Sequence, residues 1–186
     1  CIVVGEDLGT VPPTFRETLA KWGIWSYQVM LFERAANGGF IAPELYRRNA
    51  LVTFATHDLP TFAGWSSGQD LIVKYGLGLD PGESESERAA ARDALGRAMA
   101  WRGLPAIEFI SILKFLGDTP SRLLAVTMED ALGLVNQVNV PGTIAEHPNW
   151  RRRLPVDLED LLECSNLSTI ADLMAAAGGR VGTKGL

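Results

Sequence analysis

Carboxylate side chains follow two separate apolar segments of this sequence, and one of them has a histidine beside it. Glu6 comes shortly after residues 1–4, while His57 and Asp58 follow residues 50–55. Both segments are typical of strands buried in a parallel sheet. If the two strands end at the same edge of one sheet, two carboxylates face one cleft. Glycoside chemistry requires such a pair, one on each side of the bond that breaks.

Two other interpretations of these residues must be weighed. An acidic residue after a strand can cap the next helix, and this alternative holds for Glu6 or Asp58 taken alone. Their occurrence after non-adjacent strands, with His57 beside one, favours chemistry. A metal-dependent hydrolase using His57 and Asp58 would need further ligands, and none stands at a useful spacing. We therefore expect neither a metal ion nor another cofactor.

The composition limits the class of protein. The chain has 186 residues, of which 47% are hydrophobic, enough for one core or for part of a larger domain. A net charge of −5 argues against nucleic-acid binding. No apolar run approaches the roughly 20 residues of a membrane helix. The two cysteines, Cys1 and Cys164, exclude a disulfide framework and indicate a cytoplasmic protein.

The apolar segments predict the architecture. We expect four strands, at residues 1–4, 27–32, 50–55 and 122–126, with helical patterns between them. We also expect a first helix capped by Thr10, further helices at residues 86–99 and 106–115, and two C-terminal helices at residues 157–163 and 168–177. Strands alternating with helices indicate an α/β protein with a parallel sheet. Four strands form either a small open sheet or the second half of a (β/α)8 barrel, whose chemistry lies at the carboxyl ends of its strands.

Four motifs carry a family resemblance. They are Gly-Glu-Asp-Leu-Gly-Thr-Val-Pro at residues 5–12, Ala-Thr-His-Asp-Leu-Pro-Thr at 55–61, Val-Asn-Val-Pro-Gly-Thr at 138–143 and Asn-Trp-Arg-Arg-Arg-Leu at 149–154. Together they resemble the signatures of the bacterial 4-alpha-glucanotransferases, also called amylomaltases or disproportionating enzymes. Each motif alone is weak, but four in the family's order, spread over nearly the whole chain, make the resemblance specific.

The resemblance implies a fold and roles for several residues. The fold would be the C-terminal half of a (β/α)8 TIM barrel of the α-amylase clan, with strands 5–8 and the following helices in residues 1–177 and a frayed tail at 178–186. Glu6 would be the general acid/base, Asp58 the transition-state stabiliser and His57 a sugar-binding residue. The nucleophilic aspartate has no counterpart here, since Asp7 belongs to the fifth-strand motif. We expect it upstream of Cys1, where the chain starts inside an apolar segment and without a Met.

Two more residues, Asn139 and Phe32, are candidates for binding the sugar. Asn139 resembles part of the family's loop after the eighth strand, which approaches the glucan, although turn chemistry alone supports a structural turn equally well. Phe32, at the end of the second predicted strand, could stack on a sugar, but burial preferences favour a place in the core.

The function implied is retaining transfer of α-1,4-glucan segments between maltooligosaccharides or onto glucose. The expected partners are these sugars and the upstream half of the same barrel, with no nucleic acid and no membrane. An α-glucan hydrolase of the same clan is one alternative. A truncated, non-catalytic fragment that at most binds glucans weakly is the other.

Overall fold

The structure is a computed structural model that describes residues 1–12, 14–104 and 106–178. Within these ranges the chain forms seven α-helices and three strands. In chain order they are α1 (Phe15–Lys21), β1 (Ser26–Val29), β2 (Ala50–Thr53), α2 (Phe62–Ser67), α3 (Gln69–Gly76), α4 (Glu85–Trp101), α5 (Phe109–Gly117), β3 (Leu123–Leu124), α6 (Met128–Ala131) and α7 (Ser165–Gly178). Short 3-10 helices occur at Met30–Phe32, Pro43–Leu45 and Leu158–Glu163. Of the predicted tail, only Gly178 is described, as the last residue of α7; residues 179–186 lie outside the described residues.

The strands form a parallel sheet in the order β1, β2, β3. β1 and β2 pair from Ser26 opposite Ala50, and β2 meets β3 where Leu51 faces Leu123. Val4 adds a parallel bridge to Trp25 on the other side of β1. The predicted α/β class with a parallel sheet is confirmed, and all carboxyl ends of the strands lie along one edge.

The first predicted strand is wrong in extent and in burial. Residues 1–4 were expected to form a fully buried strand, but only the Val4 bridge forms, and the exposed fractions of Ile2 and Val3 are 54% and 53%. The first hydrogen bond of the parallel pairing is donated by the Trp25 N–H to the Val3 carbonyl, at 2.9 Å, so the pairing begins only at Val3. In residues 1–4, the apolar, β-branched side chains therefore do not indicate a buried strand.

Helix boundaries also differ from the sequence-based expectation. α1 begins at Phe15 with Thr14 before it, so Thr10 does not cap this helix. α4 begins one residue earlier than expected, where Ser84 and Glu87 form a capping box. The Ser84 N–H donates to Glu87 Oε2 at 2.7 Å, and the Glu87 N–H donates to Ser84 Oγ at 3.2 Å. Such reciprocal bonds satisfy two N–H groups that a helix start leaves without partners.

The core lies between the sheet and helices α2, α4 and α5. Its buried members come from β2 and the segment after it, from these helices, and from the turns after β1; they are Met30, Tyr46, Val52, Phe54, Ala55, Phe62, Trp65, Leu95, Met99, Ile112, Phe115 and Leu116. A smaller cluster of Leu113, Ala131 and Ile170 joins α5, α6 and α7. None of the helices in the described ranges is both long and apolar enough to cross a bilayer.

A buried cation joins three of these helices. Arg88, on α4, donates to Asp70 Oδ1 at 2.7 Å and Oδ2 at 2.8 Å, to the Trp65 carbonyl at 2.8 Å and to Glu83 Oε1 at 2.6 Å. Its guanidinium also lies 5.2 Å from the centre of the Trp65 ring. A charge buried this deeply is tolerated only because its donors meet carboxylate and carbonyl oxygens.

We expect Arg88→Leu to lower the free energy of unfolding by about 3 kcal/mol, because Asp70 would remain buried without its counter-charge. Urea denaturation of the chain measures this. Arg92 lies exposed one turn further along α4, so Arg92→Leu is the matched control and should change stability by less than about 0.5 kcal/mol. Equal effects of the two substitutions would contradict a stabilising role for the buried cluster.

Candidate active site

Glu6, His57 and Asp58 all follow strand segments at the carboxyl edge of the sheet. Glu6 follows the Val4 bridge, and the other two lie between β2 and α2. Glu6 is exposed, and the side chains of His57 and Asp58 are about half exposed. The edge therefore presents two carboxylates and an imidazole to solvent, within reach of a ligand.

The helix-cap interpretation is wrong for both acidic residues. The cap of α2 is Thr61, whose hydroxyl accepts a hydrogen bond from the Gly64 N–H at 3.0 Å. Asp58 lies before this cap, and its own N–H donates to the hydroxyl of Thr56. Glu6 lies well before Phe15, where α1 begins. Neither carboxylate therefore caps the N-terminus of a helix.

Asp58 sits at the centre of a polar cluster that joins two loops. The side-chain amide of Asn139 donates to Asp58 Oδ1 at 2.7 Å, and His57 Nε2 lies 3.5 Å from the same oxygen. Gln137 donates from Nε2 to the backbone carbonyls of Asp58 and Asn139. Three of the residues singled out from the sequence, His57, Asp58 and Asn139, are therefore in direct contact.

The loop that carries Asn139 is fixed by a residue of another motif. Asn149 accepts from the Val140 N–H at 2.9 Å and donates to the Thr143 hydroxyl at 2.7 Å. Buried His147 contacts the Gln137 carbonyl through Nε2, at 3.3 Å. The motifs at residues 138–143 and 149–154, separate in the sequence, are two sides of one folded loop.

Trp150, in the motif at residues 149–154, contacts His57, which the sequence did not predict. Its ring centre lies 5.1 Å from that of His57, with the two planes inclined at 49°. Its φ of 58° lies in the left-handed region, which costs a bulky side chain free energy. The Trp150 N–H donates to the Val138 carbonyl at 3.1 Å, which holds the strained backbone in place. The position of Trp150 in the sequence alone does not distinguish a tryptophan that packs in the core from one that lies beside a functional histidine.

A cavity of about 660 Å³ opens beside His57. It lies between the loop after β2, the segment around α6 and residues 150–155, and its walls include Thr127, Glu129, Asp130, Trp150 and Arg152. A tryptophan face beside charged and hydroxyl groups suits a polyhydroxylated ligand, which presents both apolar C–H faces and hydrogen-bonding edges.

Asp130 joins two walls of this cavity and was not predicted from the sequence. Its Oδ1 accepts from the Phe62 N–H at 2.6 Å, and its Oδ2 accepts from the Thr127 hydroxyl at 2.9 Å. Burial raises the pKa of Asp130 above its usual value, while these two hydrogen bonds act in the opposite direction. The carboxylate thereby holds the segment after β3 against the start of α2.

Phe32 lies apart from the cluster around Asp58. It is the last residue of the 3-10 helix after β1 and is 53% exposed, so the expectation that it packs in the core is wrong. It lines a smaller cavity of about 330 Å³ together with Asp7, Arg16 and Tyr27. Its exposure leaves the alternative, stacking on a sugar, as a prediction.

Over the described ranges, no three histidine, cysteine, aspartate or glutamate side chains come together as a metal site. The candidate residues are thus carboxylates, an imidazole and an amide that can act as acids, bases and hydrogen-bonding groups.

The family of the chain follows from comparison with known proteins. The model of glycoside hydrolase family 77, described as 4-alpha-glucanotransferase, matches residues 1–159. The chain belongs to the 4-alpha-glucanotransferase family. A 4-alpha-glucanotransferase of Mycobacterium tuberculosis is 38% identical over 95% of this chain, and one of Haemophilus influenzae is 30% identical over 91% of it. In both cases the chain spans 27% of the length of the relative.

Solved structures of the family support the fold. The amylomaltase from Corynebacterium glutamicum superposes with a TM-score of 0.81 at 29% identity, covering 93% of this chain and 28% of that one. The amylomaltase from Streptococcus agalactiae in complex with acarbose gives a TM-score of 0.66 at 20% identity, covering 94% and 31%. The parallel sheet is therefore part of a (β/α)8 barrel of the α-amylase clan, as the motifs implied.

A tight backbone contact supports the loop that holds Asp58. A Cβ added to Gly64 would lie 2.5 Å from the Val135 carbonyl oxygen, so only glycine fits there. We expect Gly64→Ala to lower the free energy of unfolding by about 1 to 3 kcal/mol, because the backbone beside Gln137 must move. Urea denaturation tests this.

The matched control is Gly76→Ala. Gly76 ends α3, and an added Cβ there would meet nothing within 4 Å. Because alanine favours helix over glycine, we expect this change to leave stability unchanged or to raise it by about 0.5 kcal/mol. A loss at Gly76 as large as at Gly64 would mean that the Val135 contact is not the cause.

Proposed function

We propose that this chain carries the acid/base side of a 4-alpha-glucanotransferase active site, as residues 1–177 of the C-terminal half of its barrel. The observation that supports the proposal is the placement of Glu6 and of the His57, Asp58 and Asn139 cluster after strands of one parallel sheet, at its carboxyl edge. Active sites of (β/α)8 barrels lie at this edge. An upstream half of the barrel would supply the nucleophilic aspartate.

In the proposed first step, the aspartate from the other half attacks the anomeric carbon of an α-1,4-linked glucan. Glu6 gives its proton to the departing glycosidic oxygen, and a covalent glucosyl-enzyme forms. Asp58 accepts hydrogen bonds from sugar hydroxyls next to the reacting carbon, and these bonds strengthen as oxocarbenium charge develops. His57 adds a hydroxyl contact, and Asn139 fixes the orientation of the Asp58 carboxylate through its bond to Oδ1.

In the second step, Glu6 acts as a base. It takes the proton of the 4-hydroxyl of a second sugar, whose oxygen attacks the glucosyl-enzyme and releases the aspartate. Maltooligosaccharides serve as donors, and maltooligosaccharides, longer α-1,4-glucans such as starch chains, or glucose serve as acceptors. Phe32 is proposed as a stacking surface for one of these sugars. The low cysteine count, two in 186 residues, supports a place in the reducing cytoplasm.

The roles of Glu6 and Asp58 can be tested in the full-length protein that contains this chain. We expect Glu6→Gln to lower kcat for maltotriose by about 10² to 10⁴, the usual contribution of a general acid/base. Asp58→Asn should lower it by about 10² to 10³, because an amide keeps the acceptor for Asn139 but loses the charge. Steady-state kinetics with a thermal melt of each variant measures both effects.

Glu17→Gln and Asp93→Asn are the matched controls, since both residues are exposed on helices away from the cluster. They should keep kcat within about twofold of the unsubstituted protein. Near-normal turnover in Glu6→Gln would exclude the acid/base role, and near-normal turnover in Asp58→Asn would exclude transition-state stabilisation by that residue.

Product analysis separates transfer from hydrolysis. With maltotriose as the only sugar, a transferase yields glucose together with oligomers longer than maltotriose. We expect this pattern, because the comparisons join the chain to transferases. Chromatography of the products over time is the measurement. Glucose and maltose without longer oligomers would instead indicate hydrolysis.

Activity of the isolated 186-residue chain would contradict the need for the upstream half.

A further inference from the structure

We propose that Asp7 is a positioning residue for Glu6. Its side chain takes the place of the strand carbonyl that would accept the next hydrogen bond of the parallel ladder. The chain therefore turns at Glu6, the proposed acid/base. The inference rests on the acid/base role proposed for Glu6. It concerns a residue with no part in the mechanism given above.

The hydrogen bonds beside Glu6 depart from a regular parallel ladder. The Trp25 N–H donates to the Val3 carbonyl at 2.9 Å, and the Gly5 N–H donates to the Trp25 carbonyl at 2.8 Å. Continued pairing would bring the Tyr27 N–H to the Gly5 carbonyl. Instead, the Tyr27 N–H donates to Asp7 Oδ1 at 2.9 Å. A carboxylate oxygen has replaced a strand carbonyl.

The Gly5 carbonyl is thereby released for a turn. It accepts from the Asp7 N–H at 3.0 Å, which closes a three-residue turn with Glu6 in the middle. A Cβ at Gly5 would meet Ile24 at 3.0 Å and Leu19 at 3.2 Å, so the turn is pressed against the end of α1 and the residues after it. The backbone on both sides of Glu6 is therefore fixed.

The charge of Glu6 also acts on β1, through the side chain of Tyr27. Burial raises the pKa of the Tyr27 phenol, and the negative charge of Glu6 raises it further. Tyr27 thus interacts with both residues: its N–H binds Asp7, and the charge of Glu6 acts on its phenol.

Asp7 has the environment of an anchor rather than of a nucleophile. It is 1% exposed, and Arg16 donates from Nε to Asp7 Oδ2 at 2.9 Å and from Nη2 to the Asp7 carbonyl at 2.9 Å. Arg47 Nη1 lies 3.7 Å from the same Oδ2. Both carboxylate oxygens are occupied, so this side chain cannot attack a sugar. The paired guanidinium groups offset the cost of burying its charge.

The test compares two donors in the full-length protein that contains this chain. Departure of the oxygen of maltotriose requires a proton, whereas fluoride departs from α-maltosyl fluoride without one. A misdirected Glu6 therefore slows the first turnover of maltotriose but not the first release of fluoride. A general structural defect slows both.

Three variants are measured against the unsubstituted protein. Asp7→Ala removes the oxygen that accepts from the Tyr27 N–H, and Arg16→Met loosens Asp7 without altering it. Glu17→Gln, the neighbour of Arg16 and exposed on α1, is the matched control. First-turnover rates with both donors, KM for maltotriose and a thermal melt are recorded.

We expect the maltotriose rate of Asp7→Ala and Arg16→Met to fall by roughly tenfold to a hundredfold, the usual cost of misplacing a catalytic group by about 1 Å. KM and fluoride release should stay within about threefold, and Glu17→Gln should resemble the unsubstituted protein. Equal losses with both donors, including losses from misfolding of both variants, would overturn the inference. Unchanged maltotriose rates would overturn it as well.

Glu6→Gln separates this inference from the function on which it rests. If Glu6→Gln slows maltotriose and spares fluoride but the Asp7 and Arg16 variants do not, only the positioning role fails. If Glu6→Gln itself spares maltotriose, the acid/base assignment fails, and the positioning role fails with it.

Discussion

Parallel pairing of the strands is the constraint on which the rest of the structure depends. Because β1, β2, β3 and the Val4 bridge all run in one direction, every segment that leaves a strand emerges at the same edge. Glu6 and the pair of His57 and Asp58 are far apart in the sequence, and pairing brings their loops to that edge. An antiparallel arrangement of the same strands would have sent alternate loops to opposite ends.

Side-chain oxygens replace backbone acceptors at the points where these loops must turn. Asp7 accepts the N–H of Tyr27, Asp130 accepts that of Phe62, and Asn149 accepts that of Val140. Each bond satisfies a backbone N–H group that has no partner within a helix or the sheet. Each also joins two segments of the chain that run in different directions or are distant in the sequence. The loops around the candidate site are consequently defined by specific bonds although little regular structure surrounds them.

The sequence predicted a parallel sheet and the charged residues that follow its strands, but not the contacts among those residues. Alternating strands and helices specify a parallel sheet through chirality and connection length, so β1, β2 and β3 could be inferred from their apolar runs. The expected burial of residues 1–4 failed because burial depends on what covers a strand, which composition does not record. The contact between Trp150 and His57 could not be predicted for a related reason, since a left-handed tryptophan against His57 depends on the fold of a long loop.

The path of the chain between β2 and β3 has an entropic consequence. These strands are neighbours in the sheet, yet helices α2 to α5 all lie between them in the sequence. Pairing Val52 with Leu124 therefore closes a long loop of the chain. The loss of chain entropy on closing this loop opposes the pairing of the two strands. Among the intervening helices, α2, α3 and α4 are joined by the buried cluster around Arg88. Completing the carboxyl edge of the sheet therefore carries a larger entropic cost of loop closure than the contacts formed within the helical segment.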